Sequence, residues 1–222
     1  MNHRLMLDEL SNTTSKQLQS NGTIIDYKKN TIIFSDDEKD YIYFVLDGFV
    51  ALYRNSHFGQ DRIIFICGPK ELLNESGMGI MSSGICAKTI SNVSLLQVPC
   101  DVAYSIFSSN CDDFKLLFQA VCAKTRRLYH QVGNDSGTYT LKQHLAVKIW
   151  KLAHEYGVNT PLGISLPFEI NVTMISMMLG AKRESVSREI SKMKSGNLIK
   201  IENGTLTVPN MDILKNQFAT LH

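Results

Sequence analysis

With 222 residues, 44% of them hydrophobic and 20% charged, the chain has room for one large domain or two small ones, each able to bury a core. No window approaches 18 consecutive apolar residues, and the opening MNHRLMLDELSNTTSKQ has no apolar run ahead of a small-residue cleavage site. Neither a membrane span nor a secretion signal is expected, and the sequence reads as that of a cytoplasmic protein. The net charge of +2 is unevenly spread: residues 1–138 hold 13 Lys and Arg against 15 Asp and Glu, and residues 139–222 hold 10 against 6. A basic excess in the C-terminal part suits a module that neutralises phosphates. The cysteines (Cys67, Cys86, Cys100, Cys111 and Cys122) are odd in number and never spaced C-x-x-C, which argues against a disulfide framework or a four-cysteine zinc site.

Residues 1–20 read as a short helical lead-in with Leu5, Leu7, Leu10 and Leu18 available for packing. From Thr23 the pattern changes to strands. TIIDYKK, NTIIFS, YIYFVLDGFVALYRN, DRIIFICG, GICAKTIS and VSLLQVP are rich in β-branched and aromatic residues. Turn residues separate them at Lys29-Asn30, Asp36-Asp37, Asp47-Gly48, Phe58-Gly59-Gln60, Gly68-Pro69 and Asn92. Asp47-Gly48 is the strongest hairpin signal of this half. So many short strands predict an antiparallel barrel or sandwich.

From Val102 to about Val132 the period becomes helical, with a stripe of Phe114, Leu117, Phe118, Val121, Leu128 and Val132. Asp112-Asp113 at its start and Lys124, Arg126 and Arg127 toward its end suit the helix dipole. The stripe pairs with a second copy or packs on the chain's own strands. Gly133-Asn134-Asp135-Ser136-Gly137 is the candidate hinge. Leu141 to Tyr156 reads as a helix with Leu145, Ile149 and Leu152 inward and Trp150 in the core. Gly157 to Gly163 reads as an exposed loop, and Ile164 to Ile170 as a strand.

Asn171 to Asn197 reads as two short helices about a tight turn. Ile175, Met178 and Leu179 mark the buried face of the first, and Val186, Ile190 and Met193 that of the second. Asn171 is a good N-cap, and Gly180 falls where a left-handed residue is needed. Lys182 and Arg183 open the second helix, where the dipole disfavours cations unless the end faces phosphates. Arg183, Glu184, Ser187 and Arg188 form its outward face. Arg183 can bond guanine bidentately, Glu184 can accept from cytosine, Arg188 can reach a second guanine or a phosphate, and Ser187 can meet a thymine methyl or a base edge. This is a helix-turn-helix with a recognition helix. Leu198 to Ile201 and Thr205 to Val208, joined by Asn203-Gly204, predict a wing hairpin, and residues 209–222 a final short helix.

The run Arg183-Glu184-Ser185-Val186-Ser187-Arg188 resembles the R-E-T-V-S-R signature of the CRP/FNR family, the cAMP receptor protein and its relatives. Tyr43 to Val50 is similar to that family's Y-x-I-L-x-G-x-V segment, and Asp61 to Ile64 with Gly68-Pro69 to its next hairpin. The resemblance covers nearly the whole chain. It implies an α+β fold: an N-terminal antiparallel β jelly roll of cyclic-nucleotide-binding type, a long dimerisation helix and a C-terminal winged helix-turn-helix. The corresponding domains are 1–108 for effector sensing, 109–136 for the dimer helix and hinge, and 137–222 for DNA. It implies a homodimer on a palindromic operator, with Phe114, Leu117, Phe118, Val121 and Leu128 in the dimer helix. It also makes RNA polymerase a partner, through a loop in relatives that corresponds to Gly157–Gly163. Asn171, Thr173, Lys182, Ser185 and Lys192 are candidate phosphate contacts, which position without specifying. TGTGA-like and TTGAT-like half-sites fit equally well. The segment after Asn197 and Ile190 to Lys194 also resemble the PrfA-like members.

One departure from the family bears on the effector. The cAMP-binding members carry Gly-Glu-Leu and then an Arg-Ser or Arg-Thr pair, whereas here Glu71-Leu72 follows a lysine and Ser83 or Gly84 stands where the arginine is expected. A buried phosphate without a cation is unfavourable, and Lys88 falls on a strand several residues later. The chain is therefore expected not to bind cAMP in the familiar way. No iron–sulfur or haem ligand set is present either, since the first cysteine is Cys67 and no histidine lies near Cys86. The effector is another small molecule or none. The histidines (His3, His57, His130, His144, His154 and His222) lack metal-ligand spacing and no G-x-S-x-G appears, so no enzyme is expected. Two rivals remain: a thiol switch through Cys86, Cys100, Cys111 or Cys122, the last lying close in sequence to Lys124, Arg126 and Arg127, and an interaction protein with a helical tail that binds no DNA.

Overall fold

The structure is a computed structural model that describes residues 7–35, 40–56, 61–78, 84–135 and 140–218. Several expectations fall outside them: His3 and Leu5, the turns at Asp36-Asp37 and Phe58-Gly59-Gln60 with His57, the cassette positions 79–83 with Ser83, Ser136-Gly137 of the hinge, and residues 219–222. The chain divides into two compact units: the first holds the described residues up to Gln131 except Asp61 and Arg62, and the second holds those two with the residues from Val132 on.

The first unit opens with helix α1 (Asn12–Asn21). Strands follow: β1 (Thr23–Tyr27), β2 (Ile32–Phe34), β3 (Tyr41–Asp47), β4 (Val50–Arg54), β5 (Arg62–Cys67), β6 (Leu72–Leu73), β7 (Cys86–Thr89) and β8 (Val93–Pro99). They form two four-stranded sheets, ordered β1-β8-β3-β6 and β2-β7-β4-β5. Helices α2 (Cys100–Ser108) and α3 (Cys111–Asp135) complete the unit. Strand β3 explains its own unbroken apolar run. Tyr43 and Val45 enter a core with Phe34, Val50, Phe65 and Leu95 from both sheets, while Ile42 and Phe44 enter a second core with Leu18, Ala103, Phe107 and Leu117 from the helices. A strand buried on both faces has no polar side to alternate with.

Asp47-Gly48 is a turn, but not of a hairpin. β3 pairs with β8 and β6, whereas β4 pairs with β7 in the other sheet, so the turn carries the chain across the roll. Gly48 has φ +83°, and a Cβ there would stand 2.1 Å from the Asn92 carbonyl oxygen. The Phe49 N–H donates to Ser91 Oγ (2.8 Å), which fixes the corner against the β7–β8 turn. Both conditions require glycine, and the hairpin signature arose from the corner.

The single helix expected from Val102 is two. Asn110 restarts it by accepting from the backbone of Asp112 (3.1 Å) and Asp113 (3.3 Å). Asp113 is only 2% exposed. Its carboxylate accepts from the Ser11 N–H (3.0 Å) and the Ser11 hydroxyl (2.6 Å), tying the start of α3 to the cap of α1. Burial pushes this carboxyl's pKa up, but bonds from the Ser11 and Thr14 hydroxyls and the Ser11 N–H outweigh it and hold it below the usual value. A depressed folded pKa stabilises above the unfolded value and is lost as pH falls through the folded one. Asp113→Asn should therefore cost about 1–3 kcal/mol in denaturant unfolding at pH 7, with the deficit shrinking toward pH 2.

Helix α3 carries two rows, each spaced alternately four and three residues. Asp113, Leu117, Ala120, Lys124, Arg127 and Gln131 face the roll. Leu117 and Ala120 join the core. Lys124 Nζ donates to the Leu72 carbonyl (3.2 Å) and pairs with Glu75 (2.7 Å). The Arg127 guanidinium stands 4.5 Å over the Phe65 ring, and Gln131 Nε2 donates to the Ile64 carbonyl (3.0 Å). Phe114, Phe118, Val121, Thr125, Leu128 and Val132 form the other row, exposed at every position but the half-buried Thr125. The expected dimer stripe therefore splits: Leu117 belongs to the roll-facing row. Gly133 to Asp135 of the expected hinge are helical, closing α3.

The second unit contains α4 (Leu141–Tyr156), β9 (Val158–Thr160), β10 (Gly163–Glu169), α5 (Val172–Leu179), α6 (Arg183–Ser195), β11 (Lys200–Glu202), β12 (Thr205–Val208) and α7 (Met211–Asn216). Thr140 and Gln143 close a capping box at the start of α4. Leu145, Ile149 and Leu152 are buried as expected. Trp150 is only half-buried: it stacks on His154 at 4.9 Å and meets the Phe218 ring edge-on, beneath the C-terminal segment and not in the core. The segment expected as a loop after α4 holds β9, which pairs with β10. The four strands form one sheet, β11-β12-β10-β9. Its register shifts between Ser165 and Glu169, where Pro167 lacks the N–H a ladder needs.

Candidate nucleic-acid interface

The interface is built on α5 and α6. Asn171 caps α5 by accepting from the Met174 N–H (2.8 Å). Met174, Ile175 and Met178 are buried; Leu179, expected beside them, is half-buried. Gly180 follows at φ +60°, ψ +35°, the left-handed conformation that ends α5 and redirects the chain. Lys182 then occupies the N-cap of α6 and provides no side-chain cap. The N-cap thus offers no side-chain acceptor to the first-turn N–H groups of α6, and the exposed cations Lys182 and Arg183 stand beside them together with the carboxylate of Glu184. That end is suited to an anion supplied from outside. Val186, Ile190 and Met193 are buried and fix the rotation of α6. Its far end closes through Asn197 at φ +52° and a bond from the Leu198 N–H to the Met193 carbonyl (2.9 Å).

With that rotation set, Arg183, Glu184, Ser187 and Arg188 are all exposed, and together they line one open hollow. The four residues selected from the sequence are thus brought to a single surface able to donate to guanine and accept from cytosine. Val172, which the sequence reading passed over, lines the same hollow. An apolar residue at a helix start reads as core in a sequence, and only the geometry separates it from Met174 and Ile175. Among the candidate phosphate contacts, Asn171, Thr173 and Lys182 are exposed and Ser185 is half-buried. Lys192 is exposed, and its ammonium is paired to Glu189 at 2.7 Å along the helix. Such a surface pair is weak and leaves the cation available. Behind α6 the wing forms as expected: β11 and β12 pair, with Asn203 at φ +50° and Gly204 at φ +79° in the turn.

The cysteines separate clearly. Cys67, Cys86 and Cys100 are buried, while Cys111 and Cys122 on α3 are exposed. Of the three cations near Cys122 in sequence, Lys124 is paired to Glu75 and Arg127 lies over Phe65, both on the roll-facing side. Only Arg126, four residues on, shares its helix face.

Two family models match the chain: a cyclic nucleotide-binding domain over residues 24–110 and a Crp-like helix-turn-helix domain over residues 143–217. The global nitrogen regulator of Synechocystis is 24% identical over 203 residues, which is 86% of each chain. FixK2 from Bradyrhizobium japonicum shares the fold at a TM-score of 0.79 and 19% identity, over 90% of this chain and 99% of that one. A CRP/FNR-family transcriptional regulator from Thermus thermophilus does so at 0.74 and 17%, over 90% and 100%. A nucleotide-type roll, a long helix and a helix-turn-helix whose recognition face is outward, in that order, make this chain a member of the CRP/FNR family of DNA-binding transcription regulators.

Proposed function

We propose that the protein binds a palindromic operator as a homodimer, with Arg183, Glu184, Ser187 and Arg188 reading bases and Asn171, Thr173, Lys182, Ser185 and Lys192 placed at the phosphates. The observation that carries this is the single hollow lined by all four readers on a helix end without its own cap. The exposed row of α3 supports the dimer: Phe114, Phe118, Val121, Leu128 and Val132 keep coiled-coil spacing and stay exposed among the described residues, Phe118 and Val132 the most. A two-fold pair would set two recognition helices about 34 Å apart, as a palindrome requires. Arg188→Ala should weaken binding to the selected operator by about 1–3 kcal/mol and leave binding to random duplex nearly unchanged. Fluorescence anisotropy on both duplexes reads this, and equal losses on the two would contradict base reading.

The roll responds to an effector other than cAMP, or to none. Glu71, at the place of the glutamate in the Gly-Glu-Leu of the cAMP-binding members, is 4% exposed and accepts from the Gly68 N–H at 3.3 Å. Lys88 alternates along β7 with the core residue Ala87, which puts it on the opposite face of the sheet. The β9–β10 hairpin, with Val158 and Leu162 exposed, is the surface the protein would offer to RNA polymerase.

A further inference from the structure

The hollow before the recognition helix has one apolar wall. Val172 is the first residue of α5, placed there by the Asn171 cap. It is half-exposed, whereas Met174 and Ile175 just after it are buried. A valine here is stiff at χ1 and makes no capping bond, so its side chain adds nothing to the start of the helix. Its side chain cannot donate to a phosphate, the usual partner of a first helix that crosses the DNA backbone. Its neighbours in the hollow are Arg183, Glu184, Ser187 and Arg188. Between them these four can satisfy guanine and cytosine by hydrogen bonds. For the one apolar mark in the major groove, the C5 methyl of thymine, they offer only the short hydroxymethyl of Ser187, whereas Val172 presents two methyl groups.

We infer that Val172 is a specificity residue, its methyl groups packing on the C5 methyl of one thymine in each half-site beside the bases met by Ser187 and Arg188. The inference rests on the DNA-reading role proposed above and adds a base to it. The surface then uses two chemistries: hydrogen bonds select guanine and cytosine, and an apolar contact selects thymine over every base without a methyl. The start of α5 specifies as well as positions.

Deoxyuridine differs from thymidine only by that methyl, which makes the test chemical as well as genetic. An operator is selected from random duplexes by the full-length protein. Each half-site thymine is then replaced by deoxyuridine, one position at a time, and affinity is read by anisotropy. With the parent protein, one position should lose about 3–10-fold, the range of a buried methyl contact. Val172→Ala should abolish that penalty, binding thymine and deoxyuridine operators within twofold of each other, and should match the parent on the deoxyuridine operator. An operator with no methyl-sensitive thymine overturns the inference without any variant being made. So does a penalty that survives in Val172→Ala, or a variant that weakens operator and random duplex alike, which would place the valine on the sugar–phosphate backbone or in packing. Failure of the parent to enrich any operator would sink the DNA-reading proposal itself. Enrichment without thymine dependence sinks only the role of Val172.

Discussion

Phe118→Asp should turn the proposed dimer into a monomer and remove operator binding while leaving the roll folded. Phe118 is 61% exposed at the middle of a row that keeps the four–three alternation from Phe114 through Val121, Thr125 and Leu128 to Val132. Within the chain it belongs to neither core, so the variant creates no cavity and leaves no buried group unpaired. Across the proposed two-fold seam the same position would meet its own copy. Each monomer then loses the burial of one phenylalanine, about 1.5–3 kcal/mol, and two carboxylates are forced together in its place. The sum is on the order of 4 kcal/mol, about a thousandfold in the dimer constant. Operator binding depends on two half-sites being held at once and should fall by about a hundredfold or more. Sedimentation velocity reads the association and anisotropy the binding, with the far-ultraviolet circular dichroism of the folded chain unchanged. A variant that still sediments as the parent does would place the interface elsewhere. The polar residue of the row, Thr125, returns its hydroxyl to the Val121 carbonyl (3.0 Å), so its polar atom is satisfied within the helix.

What could be seen in the sequence was set by which physical signal each element leaves. The helix-turn-helix was legible almost residue by residue, because Asn171, Gly180 and Asn203-Gly204 are each required by a cap or a positive φ. Strand β3 was legible because burial on both faces writes an unbroken apolar run. The same half also misled. Asp-Gly reports a backbone conformation and says nothing of which sheet the next strand joins, so a corner looked like a hairpin. The two-residue β6 and three-residue β9 are too short to show a period, and Pro161 and Gly163 made the latter read as loop. Gly133 to Asp135 read as a hinge by composition, yet propensity is a weak prior near a helix end. Helix α3 held the hardest problem. Its two rows interleave, and both are apolar near the start, so Leu117 was pooled with Phe114 and Phe118. Beyond Ala120 the roll-facing row turns to Lys124, Arg127 and Gln131, which no hydrophobic pattern marks as facing inward. Only their partners on the roll do so.

Lys124 is the residue on which that polar row depends most, and replacing it should cost more than an ordinary surface change. Its side chain is 20% exposed and that of Glu75 17%, well inside the limits of a surface pair. It also donates to the Leu72 carbonyl, so one ammonium holds α3 to both the β6 backbone and the turn that follows. Burial pushes the ammonium's pKa down, but Glu75, Cys67 and Glu71 together outweigh it, and the pKa stands above the usual lysine value. A raised folded pKa contributes stability at every pH below the unfolded value and loses it only as pH rises through the folded one. The contribution is therefore constant from pH 6 to 9. Lys124→Met keeps the length of the side chain and removes the charge, leaving Glu75 half-enclosed without its partner. The expected loss is about 1–3 kcal/mol, below the ~3–5 kcal/mol of a fully buried pair because water still reaches both ends. Glu75→Gln should cost less, since the amide still accepts from the ammonium. The double variant should be more stable than the sum of the two losses predicts, because once the charge on Glu75 is gone the missing ammonium matters less. Denaturant unfolding of the four proteins closes the cycle. Strict additivity would mean that the two groups do not sense each other, and that the bond to the Leu72 carbonyl, not the ion pair, is what Lys124 contributes.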